Sequence, residues 1–282
     1  MSDRSGAAAR RTQAVYRTGI QGCVGTLLGI VVSGPLAVAL VAATHPQPPW
    51  SGPEVFARSF HTLQLVPYAG GLLLVCGLLL LLSSVHALAW RRDRVRATLA
   101  LICSAVFAAF VFLNYVLQTS YVPLLARGYQ PADAPLVSAL SMSNPLSLAW
   151  ALELWGWGFA GLSTWLLAPV FDGTPVERAT RATFHANGLV SAAGTLWTVL
   201  QPGWALTRPG LVAFTLWNVL LASLAALALV ALRQRSQQVG EPPSPRTSEP
   251  VPIPAIQRGI SFVGHEGLEP STNGLRIHCS TN

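Results

Sequence analysis

The sequence predicts an all-α integral membrane bundle of six transmembrane helices, with both termini on the cytoplasmic side and one short interfacial amphipathic helix. Three observations lead there. Only 10% of the 282 residues are charged and 51% are hydrophobic, with a mean hydropathy of +0.47, whereas a water-facing domain carries about 25% charge. Several apolar runs approach the roughly 20 residues a helix needs to cross a bilayer. The arginines also alternate in number from one connection to the next, as orientation signals do. The formal charge of +7 does not argue for nucleic acid. All basic residues are Arg, they cluster at the ends of apolar runs, and no basic stripe with interleaved aromatics is present.

Residues 1–19 read as a polar cytoplasmic segment carrying Arg4, Arg10, Arg11 and Arg17. The first span covers about 20–43, with a kink expected at Gly34-Pro35. Ala37-Val38-Ala39 has the A-x-A form of a signal-peptide cleavage site, but the apolar run exceeds the usual 7–15 residues, so a retained span is expected. A surface helix at 52–64 follows from Ser51 and Glu54, spaced as a capping box around Pro53, and from Phe56, Phe60 and Leu63 at helical spacing.

The second span is expected at 66–90. The third is expected at 97–118, with the helix extending to Leu125, and a long loop then runs over 119–146. The fourth, fifth and sixth spans fall at 146–169, 183–203 and 211–232. Glu177, Arg178 and Arg181 between the fourth and fifth read as a solvated loop. Four Arg precede the first span, four lie at 91–96, two at 172–181 and two just after the sixth span, while the alternate connections hold only Arg58, Arg127 and Arg208. That alternation places both ends of the 20–235 membrane domain inside. Trp50, Trp90, Trp150 and Trp204 sit near span ends, as interfacial aromatics do. The tail 236–282 is Pro-rich and is expected to be disordered.

Glu153 is the conspicuous residue. Asn144 can cap the fourth span with Pro145 in its first turn, placing Glu153 about two turns inside, on the outer side. A carboxyl at that depth costs up to roughly 2.5–3.5 kcal/mol and ordinarily faces the bundle interior with a partner. By depth, Asn114 and Gln118 of the third span, Thr198 and Gln201 of the fifth and Asn218 of the sixth gather at the same outer level, with Tyr115 and Tyr121 nearby. They are the candidate ligand-binding set around Glu153; interhelical hydrogen bonding is the competing role. Gly156, Gly158 and Gly161 spell G-x-G-x-x-G, but inside an apolar helix rather than after a strand. They are expected to admit a neighbouring helix, or a second copy of the chain, with Trp155, Trp157 and Trp165 filling the remaining volume.

At the inner side, His86 and His185 are the one pair able to ligate a haem; otherwise they are interfacial residues, and no cofactor is expected. Cys23, Cys76, Cys103 and Cys279 form no C-x-x-C and read as small hydrophobes, so no metal site is expected. No H-E-x-x-H, G-x-S-x-G or Walker sequence occurs.

Residues 14–235, with the blocks NYVLQ, SNPLSLAWALELWGW and WNVL, resemble small polytopic bacterial membrane proteins of uncharacterised role. The resemblance implies a multi-pass location in a bacterial plasma (inner) membrane and no particular activity. Residues 264–282, GHEGLEPSTNGLRIHCSTN, resemble reading frames that run on into a neighbouring structural-RNA gene, which would leave His265, His278 and Cys279 without a role. The functional expectation is a non-enzymatic membrane protein binding, sensing or moving a small solute or cation at the Glu153 site. A membrane-embedded enzyme or haem protein, or a structural subunit of a complex, is the alternative.

Overall fold

The structure, a computed structural model, describes residues 2–89 and 91–240. Trp90 and the tail residues 241–282, including Cys279 and the run-on resemblance, lie outside the described residues. Among the described residues there is helix and no strand. Helix α1 (Ser2–Val31) passes through a π-helical turn at Val32–Leu36 into α2 (Ala37–Thr44). Pro35 lies in that turn; its missing N–H and its ring would break a regular helix, and the wider turn absorbs both. The residues expected as a polar N-terminal segment are therefore the first turns of a continuous helix.

Helix α3 (Pro53–Ser59) is followed by a 3-10 turn at Thr62–Leu65 and then α4 (Val66–Ala87). Helix α5 (Arg94–Val116) runs through a second π-helical turn, Leu117–Tyr121, into α6 (Val122–Arg127). Helix α7 (Ala134–Leu140) leads to α8 (Leu148–Leu167), α9 (Pro175–Leu200) and α10 (Arg208–Gly240). Among the described residues four stretches are long and apolar enough to cross a membrane: Gly6–Thr44, Thr62–Ala87, Arg94–Arg127 and Arg208–Val239. Helix α8 carries four Trp, three Gly and Glu153, and α9 opens on a charged stretch with Glu177, Arg178 and Arg181.

The six long helices close into a ring. Helix α1 packs on α4, α4 on α5, α5 on α8, α8 on α9, α9 on α10, and α10 returns to α1. The interior is filled by Leu78, Leu81, Phe107, Leu167, Phe184 and Leu224, all fully buried. Outward, large apolar side chains stand exposed on every wall, among them Leu28, Ile102, Leu113, Leu162, Leu196 and Leu216. Water does not tolerate an apolar belt of that extent on a lone chain; a bilayer does.

One end of the ring is tied by Gln13 to Ser236, Arg92 to Asp172 and Arg235 to Glu177. The other is capped by α3, α6 and α7, which share a small core of Phe56, Val122, Ala126 and Val137. Several local expectations change here. The surface helix ends at Ser59, and its N-cap is Gly52 at φ 128°, so Ser51 caps nothing. Phe56 and Phe60 pack toward α6 and α7, while Leu63 belongs to the separate 3-10 turn. The expected loop 119–146 is largely helical, because Pro123 and Pro135 stand in first turns, where proline is pre-organised for helix.

Candidate functional site

Helix α8 begins later than expected. Ser147, not Asn144, is its N-cap, its hydroxyl accepting from the Trp150 N–H at 3.4 Å. Asn144 instead closes the preceding turn, accepting from the Leu146 N–H and donating to the Ser138 carbonyl. Glu153 thus lies about one and a half turns inside α8, 5% exposed, facing α5.

Three side chains donate to its carboxylate. Asn114 Nδ2 reaches Oε2 at 3.0 Å, and Tyr115 Oη and Trp157 Nε1 reach Oε1 at 2.7 and 2.8 Å. Among the described residues Glu153 forms no ion pair. A carboxylate ringed by donors is arranged for its charged form, yet every donor here is neutral. Gln118, 2% exposed, extends the cluster: Nε2 donates to Asn114 Oδ1 at 3.3 Å and to the Leu140 carbonyl at 2.7 Å, while Oε1 accepts from the Met142 N–H at 3.2 Å. Gln118 sits in the π-helical turn of the α5 rod, a local widening often found at functional positions. Beside it is a cavity of about 20 Å³ with Gln47, Gln64, Gln118, Ser141 and Ser143 on its polar side and Phe56, Phe60, Leu65 and Val122 on its apolar side, room for one water.

Of the six residues grouped by depth, the structure joins Asn114, Gln118 and Glu153 and leaves the other three apart. Thr198 donates to its own helix at Gly194 and accepts from Trp204 Nε1; Asn218 donates to the Phe214 carbonyl; Gln201 is exposed at the end of α9. Tyr121 is 38% exposed and outside the cluster. Trp157, read from sequence as a volume-filler, is a donor to Glu153; its i,i+4 spacing was the available signal. Trp155 and Trp165 fill no interior, being 41% and 42% exposed. The glycines do admit neighbours: a Cβ on Gly158 would lie 2.4 Å from Thr195 Oγ1, and one on Gly161 2.3 Å from Ser191 Cβ. Along Gly158 and Gly161 that face is occupied by α9 within the chain, while Gly156 lies against α5.

A second buried carboxylate corrects the reading of Glu177 as part of a solvated loop. Thr174 N-caps α9, and Glu177, 5% exposed, lies in the first turn. The sequence Thr174-Pro175-Val176-Glu177 is a capping-box pattern that sequence reading passed over. Arg235 Nε and Nη2 meet Glu177 Oε1 and Oε2 at 2.7 and 2.8 Å, Nη2 also donates to the Val170 carbonyl, and the guanidinium lies 5.6 Å from the Phe171 ring centroid. The hydrogen bonds from Arg235 hold the Glu177 carboxyl below its ordinary range, against the opposing effect of burial.

His86 and His185 stand on α4 and α9, which are not neighbours in the ring, and His185 instead packs on Trp165 at 5.1 Å. Asn187 near His185 donates to Thr164 Oγ1 at 3.0 Å. Cys23 is buried, Cys103 partly so, and Cys76 faces outward. Among the described residues no group of three or more His, Cys, Asp or Glu is placed to hold a metal ion. No protein-family model, curated protein or solved structure matches the chain.

Proposed function

We propose that the chain is a non-enzymatic, multi-pass protein of a bacterial plasma membrane, with α1–α2, α4, α5, α8, α9 and α10 spanning and both ends of the ring's membrane domain inside. In this reading the Glu153 cluster takes up a proton or small cation from the outer face, and the protein senses or moves that species. The carrying observation is a buried carboxylate held by three neutral donors and, among the described residues, by no cation, with a water-sized cavity reached through Gln118. Neutral donors leave the charge uncompensated, so the site gains most from an arriving positive charge. The arginine alternation supports the orientation, since the Arg-rich connections meet at the Arg92–Asp172 and Arg235–Glu177 end.

A second reading is favoured by the same bonds: Asn114, Tyr115 and Gln118 tie α5 to α8 and to the 140–142 turn, so Glu153 could serve as an interhelical fastener in a structural subunit. Melting temperatures of the wild type and Glu153→Gln in detergent, across pH and a panel of monovalent and divalent cations, separate the two. Uptake at Glu153 gives a pH- or cation-dependent stabilisation that the variant lacks; a ligand at 100 times its Kd adds about 2.7 kcal/mol. Parallel profiles for the two proteins would leave only the fastener. A reporter fused after Arg235 is expected inside and one within 127–135 outside; the reverse would put the cluster at the inner face.

A further inference from the structure

A large concavity lies between α9 and α10, with Leu154 and Trp157 of α8 as its floor, so that Trp157 alone separates it from the Glu153 carboxylate; it measures about 600 Å³. That size is typical of a small-molecule site. Its walls are apolar in effect. Thr195 Oγ1 donates to the Leu154 carbonyl at 2.9 Å and Ser191 Oγ accepts from Trp217 Nε1 at 3.2 Å, so the hydroxyls along it are already engaged. On α9 the lining runs from Val190 to Gln201, about 17 Å at 1.5 Å per residue. Half the hydrocarbon core of a bilayer is about 15 Å. The groove is thus as long as one leaflet is deep. Polarity gathers at a single end, where Gln201 and Thr207 are exposed. Arg208, between the lining residues Thr207 and Pro209, is exposed there and forms no ion pair among the described residues.

We infer that this groove holds one acyl chain of an anionic glycerophospholipid, with the phosphate of its headgroup at Arg208. An occupant must be apolar over one leaflet's depth and negatively charged at one end, and guanidinium groups suit phosphate oxygens. The inference rests on the chain lying in a membrane but not on the role of Glu153, and its readout is bound lipid rather than pH response, so the two fail separately.

Gly194 supplies the test. A Cβ there would have nothing nearer than Trp204 Cζ2 at 3.8 Å, so a leucine fits the backbone and fills the groove. The full chain, Gly194→Leu and Arg208→Gln, each purified in detergent, are titrated with phosphatidylglycerol and with phosphatidylcholine of the same acyl chains, and bound lipid is counted by native mass spectrometry. The wild type is expected to keep one phosphatidylglycerol per chain at detergent levels that strip other lipid. Gly194→Leu loses it at an unchanged melting temperature in lipid-free detergent. Arg208→Gln lowers the preference for phosphatidylglycerol about fivefold, the scale of one basic residue near an anionic surface. If Gly194→Leu melts early, Ala213→Leu on the opposite wall takes its place. Equal retention in the groove-filled and wild-type proteins, a retained fatty acid or isoprenoid mass instead of phospholipid, or no retained lipid overturns the inference.

Discussion

Glu177 and Glu153 are each 5% exposed, at opposite ends of the ring, and are satisfied in opposite ways. Glu177 faces a guanidinium that matches both its oxygens, and the Gly173 N–H donates to it as well. Glu153 faces an amide, a phenol and an indole. The first arrangement cancels charge locally and joins the start of α9 to the end of α10. The second offers hydrogen bonds to a charge without cancelling it, and on the proposed reading its protonation state is the one that an outside ion changes. A buried ion pair is costly to break and contributes little by being there. A buried unpaired carboxylate is costly to keep, which is why such groups in membrane proteins so often mark a site of ion or proton traffic.

The largest effect expected is at the paired site. Glu177→Ala leaves Arg235 with the Val170 carbonyl and the Phe171 ring face and is expected to cost about 3 kcal/mol, the low end for a buried pair because the Arg235 side chain is 18% exposed, read by chemical or thermal unfolding in detergent. Glu177→Ala with Arg235→Ala should cost clearly less than the two single changes added. A loss below about 1 kcal/mol for Glu177→Ala would break the comparison, since the pair would then behave as a solvated one.

The same pair sets an acid limit. The folded-state value of Glu177 lies below the unfolded value of about 4.3. Its contribution is therefore complete above that pH and is lost as pH falls through the folded value. The wild type should lose melting temperature below about pH 4, and Glu177→Gln should lose less over the same interval; equal acid slopes would place the titrating group elsewhere.

At the unpaired site, Glu153→Gln keeps one acceptor and turns the other position into a donor facing donors. At neutral pH the cost is expected at about 1–3 kcal/mol, the penalty for leaving a buried polar group unmatched, measured by the same unfolding. A larger loss than at Glu177 would reverse the ranking of the two ends.

How much of this was readable beforehand follows from what each residue answers to. Lipid as solvent imposes long apolar helices, so the helical class is written in hydropathy. Depth is also legible, since each residue adds about 1.5 Å along an axis, and it brought Asn114, Gln118 and Glu153 to one level. Depth says nothing of azimuth: Thr198, Gln201 and Asn218 share the level but point along their own helices or outward. The Glu177–Arg235 pair joins residues 58 positions apart, and no local pattern announces the partner. The loop expected over 119–146 is largely helix because proline marks a helix start as readily as a break, as Pro123 and Pro135 do here.

The smallest effect expected is also the one that reads the charge on Glu153 directly. Trp157 Nε1 donates to the Glu153 carboxylate at 2.8 Å, and Trp217 Nε1 donates to the Ser191 hydroxyl at 3.2 Å. The two indoles stack edge-on with centroids 4.7 Å apart, Trp157 buried and Trp217 partly so, and Trp157→Phe and Trp217→Phe make the same chemical truncation, so the pH dependence of the difference is the readout. A hydrogen bond to a charged group contributes about 1.5–3 kcal/mol and one to a neutral group about 0.5–1.5. With Glu153 ionised, Trp157→Phe should cost about 1 kcal/mol more than Trp217→Phe, and the gap should close once the carboxyl takes up its proton. A gap that opens and closes with pH makes Glu153 a titrating site in the folded protein. Equal costs at every pH would mean that the carboxyl is neutral throughout, and the contrast with Glu177 would then be between an ion pair and a fastener.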